Sequence, residues 1–350
     1  MKQEKLDAHF ITDPFNIRYL SKFTGSNGQI LITKTGKAFL LTDFRYLAVA
    51  KKVLPSNIKL VDMKGGLMKT LGKLATQNKI TTLGFEEKNL SYQRHRLFKK
   101  HLPNLKLKPT QNLVEKQRMI KTEQEIKLIE KAQRIAEKVF LEVKKNLKVG
   151  KTEKELAWEI EKLGHDFGAD TISFAPIIGF NENSASPHHQ NSDRKLKKGD
   201  VVLVDMGMMY QGYCSDMTRM IFTKQPTPQH KKIYNLVLEA QETAIKNLKA
   251  GTIGSVGDEW SRAVIRKAGY GETFGHSLGH GIGLEVHEAP YLSSGYEEPI
   301  LENTIVTVEP GIYLDGFFGV RIEDMVLVKR DHVVNLTKIP KEIEACLKLL

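Results

Sequence analysis

The first third of the chain is patterned as short apolar runs broken by turns. QILIT and KAFLLTD read as strands separated by KTG, where Gly36 suits a tight hairpin. Helical periodicity in GLMKTLGKLATQ and a further strand-like run, ITTLGF, predict a mixed α/β domain. Near residue 120 the pattern changes. Thr122 followed by Glu125 has the form of a capping box, after which Leu128, Ile129, Ala132, Ile135, Ala136, Val139 and Phe140 fall on one stripe of a long amphipathic helix. That helix is expected to end at KNLKVG, with Gly150 as its C-cap, and Thr152 to open a second helix carrying Leu156, Trp158 and Ile160. The shift in pattern predicts one domain over residues 1–118 and another over residues 119–350.

The second region repeats itself. KNLKVG at 145–150 returns as KNLKAG at 246–251, and VVLVDMGMMYQGY at 201–213 returns in form as IVTVEPGIYLDGF at 305–317. The second pair aligns Asp205 with Glu309, Gly207 with Gly311 and Gly212 with Gly316. Two matches in consistent order predict two copies of a helix-helix-strand-hairpin unit related by a pseudo-two-fold within one domain, because a solenoid needs more copies than two.

Each copy offers two acids. VVLVDMG contributes Asp205 and CSDMTR contributes Asp216, while IVTVEPG contributes Glu309 and VRIEDM contributes Glu323. Alternate residues of a strand share a face, so the carboxylates of each hairpin can point to one side of a sheet. Four converging carboxylates cannot all stay ionised in a partly buried cleft without cations, and divalent metal is the simplest compensation. One imidazole is at hand in FGHSLGHGIGLEVHEAP, which holds His276, His280 and His287 among glycines that let backbone approach a ligand closely. A set of oxygens with one imidazole shifts the preference toward Mn, Fe, Co or Zn. A further pair, His188 and His189, precedes the first acidic strand. A lone Asp closing a strand is ordinarily a turn residue; it is the joint occurrence of acids in duplicated contexts with the histidine segment that points to a site.

Composition narrows the classes. At 350 residues, with 41% hydrophobic and 27% charged residues, the chain is an ordinary globular one with room for more than one domain. The net charge of +12 is concentrated: residues 1–120 hold 23 Lys+Arg against 8 Asp+Glu, the remainder 30 against 33. Those cations are scattered among apolar positions without a stacking aromatic pattern, which reads as solvated surface rather than a nucleic-acid face. Cys214 and Cys346 are too few for a disulfide framework. MKQEKLDAHF has no basic lead into an apolar run and no window is long enough to span a membrane, so a cytoplasmic location is expected.

At the motifs VDMG, SDMTR, HSLGHGIGLEVHE, EPGIY and RIED, in that order, the chain resembles the metallopeptidase family with the pita-bread fold, which includes aminopeptidase P, prolidase and methionine aminopeptidase. The resemblance spans about residue 122 to the end. It implies an α/β (α+β) chain whose pita-bread domain holds two divalent metal ions, manganese foremost. Asp205 would chelate one through both oxygens, Asp216 and Glu323 would bridge the two, and His280 and Glu309 would complete the set. The first third is similar to the smaller N-terminal domain of the aminopeptidase P, prolidase and creatinase branch through NIRYLSKFTGSNGQILIT and LLTDFRYLAVAKK. Methionine aminopeptidases lack such a domain, so the resemblance implies hydrolysis of the bond between an N-terminal residue and a following proline, in a peptide or dipeptide, by a homodimer. Glu309 is expected to pass the proton of the attacking water toward the leaving nitrogen. His276 and His287 are assigned to the substrate, His188 to the outer wall of the site, and Arg321 and Thr218 to holding the carboxylates of the set, Thr218 that of Asp216. The rival readings are methionine aminopeptidase-like activity and a non-catalytic binding protein of the same fold.

Overall fold

The structure, a computed structural model, describes residues 4–350 and divides into two compact units, one ending at Arg118 and one spanning Met119–Leu350. In the first unit six strands form one mixed sheet in the order Ile58–Asp62, Ala38–Thr42, Gly28–Thr33, Ala8–Ile11, Thr82–Glu86 and Lys106–Thr110. The two pairings of Gly28–Thr33 are antiparallel and the other three are parallel. The first hairpin turns through Gly36 at φ +85°. Pleating sends neighbouring residues to opposite faces. Phe10, Leu31 and Leu41 meet the helices Leu67–Gln77 and Tyr92–His101, whereas Ile11, Ile30 and Leu40 pack with Ile17 and Ala50 of the helices Pro14–Ser21 and Leu47–Val53. Burial on both faces is why these strands read as continuous apolar runs rather than alternating ones.

The second unit contains two helix pairs, Glu123–Asn146 with Glu153–Asp166 and Pro228–Asn247 with Gly254–Lys267. Both predicted N-termini are capping boxes in fact, Thr122 exchanging hydrogen bonds with Glu125 and Thr152 with Glu155. One local expectation is corrected. The first helix ends at Asn146 and leaves through an extended Leu147, whose side chain is buried; Gly150 takes its positive φ of +90° in the turn beyond. The second helix carries Leu156, Trp158 and Ile160 as expected; Leu156 and Ile160 define its buried stripe, and Trp158, on the opposite side, is 68% exposed.

Each helix pair accompanies a long hairpin interrupted by a small ribbon. Val201–Met206 pairs with Met217–Phe222, placing Asp205 opposite Thr218, and the chain between forms the ribbon Met208–Tyr210 with Tyr213–Cys214. Ile305–Val308 pairs likewise with Asp324–Val328, with Gly311–Leu314 and Phe318–Arg321 as its ribbon. The ribbons turn at Gly212 (φ +79°) and Gly316 (φ +69°), positions that favour glycine in both copies. Asp205 and Glu309 therefore lie where the chain leaves a main strand, and Asp216 and Glu323 where it returns. Val202, Val204 and Ile221 face the first helix pair through Val139, Phe140 and Leu156; Val201, Leu203 and Met220 face a second core shared with Val306, Val326 and Val237. The first hairpin is thus buried on both sides, and its acids are held at the edge of a close-packed interior.

Candidate metal centre

Five predicted residues converge in the second unit. The four carboxylates arrive from the two hairpins, and His280 from the short strand Gly279–Gly281, which pairs with both Glu288–Leu292 and Ile305–Val308. His280 Nε2 lies 3.3 Å from Glu309 Oε1 and 3.7 Å from Asp216 Oδ2. Ligating atoms of Asp216, His280 and Glu323 all lie within 4.8 Å of one another. Asp205, Asp216, His280, Glu309 and Glu323 line one cavity of about 540 Å³ together with His188, His276 and His287.

The glycines beside His280 serve the strands rather than a ligand. A Cβ on Gly279 would stand 2.0 Å from the Thr307 carbonyl oxygen, and one on Gly281 2.5 Å from that of Ala289. Neighbouring backbone occupies the space a side chain would need. Thr307 then fixes the imidazole's setting: its hydroxyl accepts from the His280 N–H at 3.0 Å and donates to Glu309 Oε1 at 3.2 Å.

Charge is poorly balanced within this cluster. Burial, and after it the charges of Glu323, Asp205 and Glu309, push Asp216 well above the ordinary carboxyl range. Burial followed by Glu309 and Asp205 does the same to Glu323, and burial raises Asp205 even against the opposing Arg321. Burial also acts on Glu309, but the hydrogen bond and charge of His280, with the charges of His276 and Arg321, together outweigh it and lower this carboxyl. Asp205 Oδ1 and Asp216 Oδ1 are buried without a hydrogen-bond partner, which is unusual for buried carboxylate oxygens. His280 Nδ1 donates to the Gly281 carbonyl at 3.1 Å, which turns Nε2 toward Asp216 and Glu309. Orphaned buried oxygens in a cluster of like charges that also holds one imidazole fit a cation, and the oxygen-rich set with one nitrogen suits a divalent ion.

A second layer orients these groups. Arg321 donates through Nη2 to Asp205 Oδ2 at 2.5 Å, through Nε to Thr218 Oγ1 at 3.1 Å and through Nη1 to the Tyr313 hydroxyl at 2.8 Å. Arg321 thus holds Asp205 as expected. Thr218, however, donates to Glu323 Oε2 at 2.8 Å rather than to Asp216, so it ties the first hairpin to the acid of the second. Tyr313 accepts from Arg321 and must give its own proton to His276 Nε2, 2.8 Å away. Burial pushes this phenol up to about 12, which keeps that proton in place. His276 then carries its remaining proton on Nδ1, donated to the Ser277 carbonyl at 2.8 Å. Both ring nitrogens of His276 are engaged.

His287 is different: its ring stands edge-on to His280 at a centroid distance of 4.2 Å and is exposed at the cavity. His188 is also exposed there, whereas its neighbour His189 is bonded to Glu153 at 2.7 Å. Tyr313, Asp258 and Arg262 were not singled out by sequence. Asp258 accepts from Leu278 N and from both ends of the Arg262 fork, and Arg262 donates to the carbonyls of Phe274 and His276. The four-residue spacing of Asp258 and Arg262 signals a helical ion pair, but not that it grips the histidine segment.

Residues 127–330 match metallopeptidase family M24, and residues 1–120 match the creatinase/prolidase N-terminal domain. The Xaa-Pro dipeptidase of Pyrococcus horikoshii is 37% identical over 345 residues, spanning 98% of this chain and 96% of that protein. Two solved structures align over the whole of this chain. The Xaa-Pro dipeptidase from Bacillus anthracis does so at TM-score 0.95 with 39% identity, covering 96% of that chain. The X-Pro aminopeptidase from Thermotoga maritima does so at TM-score 0.91 with 38% identity, covering 99% of that chain. Duplicated hairpins bearing these acids, together with matches over both units, place the chain in metallopeptidase family M24, in the pita-bread fold, with a creatinase/prolidase N-terminal domain.

Proposed function

We propose that this protein removes an N-terminal residue standing before proline, using two divalent cations held by Asp205, Asp216, His280, Glu309 and Glu323. The observation that carries the reading is the meeting of four carboxylates from two separate hairpins with the His280 imidazole, two of their buried oxygens having no partner. The relatives named for Xaa-Pro hydrolysis over nearly the full length of both chains support the substrate. Bound divalent cations supply Lewis acidity toward the scissile carbonyl and lower the pKa of water toward neutrality. The chain's own residues do the rest. Arg321 and Thr218 hold Asp205 and Glu323 in place. Glu309, at the edge of the cavity, accepts a proton from the attacking water and returns it to the leaving nitrogen. His287 and His188 meet the substrate from the open side, and His276, with both nitrogens occupied, braces Tyr313 instead. Proline requires such a dedicated site because its imide nitrogen offers no N–H to a peptidase that aligns substrates by main-chain hydrogen bonds.

Manganese is the proposed ion, in keeping with an oxygen-rich set carrying one imidazole. A cytoplasmic homodimer is proposed as its form. Both cysteines are buried, and no helix among the described residues is long and apolar enough to cross a membrane. Chelator-stripped enzyme should hydrolyse X-Pro or X-Pro-Y peptides only after manganese or cobalt is restored, and should leave Met-Ala-Y peptides intact. Undiminished activity after verified metal removal, or a preference for Met-Ala-Y, would sink the proposal. Asp205→Asn and His280→Ala should lose bound metal and activity together.

A further inference from the structure

The segment that carries His188 to the cavity is held by a carboxylate outside the metal centre. Glu153 opens the helix Glu153–Asp166 and is fully buried. Its Oε1 accepts from Phe180 N and Asn183 Nδ2, both at 2.9 Å. Its Oε2 accepts from His189 Nε2 at 2.7 Å, Ser192 N at 2.9 Å and Ser192 Oγ at 2.7 Å. Five donors spread over residues 180–192 thus converge on one side chain. Such a number exceeds what capping a helix requires, and the carboxylate also lies at the positive end of the helix dipole. Between the outermost of these donors lie Pro187 and His188, both at the cavity, and the Pro187 carbonyl is 3.5 Å from Arg321 Nη1. His188 and His189 are adjacent yet diverge, His189 to the buried anchor and His188 to the cavity.

We propose that Glu153 is a positioning residue for catalysis: by gripping the 180–192 segment through His189 and Ser192 it sets His188 against the substrate. This inference rests on the peptidase reading, in which His188 meets the substrate. It predicts that the carboxylate is felt in turnover only through His188. A buried anchor kept merely for stability would not show that dependence.

The test is a double-mutant cycle on whichever peptide of an X-Pro, X-Pro-Y and Met-Ala-Y panel the manganese-loaded wild type cleaves best. Glu153→Gln keeps the shape but replaces one acceptor by a donor that faces other donors. It should lower kcat/KM about ten- to a hundredfold, the range seen when a supporting partner of a site is lost, with bound metal by elemental analysis unchanged. His188→Ala should lower it comparably, and the double variant should be no worse than His188→Ala alone. Hydrogen exchange should quicken over residues 180–192 in Glu153→Gln while the strand Val201–Met206 keeps its protection. Losses that multiply in the double variant, a loss of metal from Glu153→Gln, or unchanged exchange over 180–192 would each overturn the inference. If Glu153→Gln fails to fold, His189→Gln and Ser192→Ala weaken the same grip and must show the same dependence on His188. A wild type that cleaves no peptide of the panel overturns the peptidase reading itself, and this inference with it; an active wild type with a multiplicative cycle overturns this inference alone.

Discussion

At the scale of single residues, the site is set by donors with no alternative partner. Arg321 can only donate, so the direction of every proton from Asp205 through Tyr313 to His276 follows from it. Tyr313→Phe removes the link, leaving His276 Nε2 without its donor. We expect kcat/KM to fall about ten- to a hundredfold with metal content intact by elemental analysis; unchanged kcat/KM would show that the link has no part in turnover. A pH experiment reads Glu153. Burial raises its carboxyl, but hydrogen bonds from Ser192, Phe180, Asn183 and His189 outweigh burial and hold it below the ordinary 4.5. A depressed carboxyl contributes stability that is present above the unfolded value and fades as pH falls through the folded one. The gap in urea midpoint between wild type and Glu153→Gln should therefore be full at neutral pH and narrow below about pH 4.5. A gap that does not move with pH would contradict an ionised anchor. Residue identities made the acids and His280 legible from sequence, because each stands in a motif that occurs in both hairpins or is enclosed by glycines. Tyr313 and Arg262 were not legible. Their effect is exerted on other side chains brought near by folding, and no spacing in the chain records that.

At the scale of elements, the strand Gly279–Gly281 is the most constrained piece of the site. It lies between two strands with no room for a Cβ at either glycine and carries His280 between them. Gly279→Ala is expected to destabilise the protein by about 1–3 kcal/mol through overpacking and to weaken cation binding, because the strand must shift to admit the methyl group. Thr122→Ala is the control: loss of that capping box should cost about 1 kcal/mol and leave cation affinity untouched in calorimetric titration. Equal affinity in both variants would mean that the strand does not set His280. Helices and strands were readable where a pattern has a single physical cause, as in the two capping boxes and the Gly36 hairpin. Gly150 misled because glycine serves a positive φ in any turn, and the helix had already ended in extended backbone at Leu147.

At the scale of the whole molecule, the two units differ in what they contribute. All five proposed cation ligands, and Arg321, Thr218 and Tyr313 that support them, lie in Met119–Leu350. Cations bound only by the folded state stabilise it by about 2.7 kcal/mol at a hundredfold excess over Kd. Residues 119–350 produced alone are expected to show that manganese-dependent rise in melting temperature. A fragment that folds but shows no rise would place part of the cation site elsewhere. The internal duplication was visible in the sequence because glycine and acid recur at the same places in both copies, where turn and strand-end geometry is the same. The mutual grip of the copies was not: Arg219 donates to the Glu323 carbonyl and the Asp324 carboxylate of the other hairpin, both at 2.6 Å, from full burial. The division of ligands between two hairpins far apart in the chain has a consequence for biosynthesis. A ribosome must have released the chain through Glu323 before that side chain can join Asp205 and Asp216, so a product stopped ahead of it would lack one of the proposed ligands. On the proposed ligand set, hydrolytic power would wait on synthesis of the second hairpin.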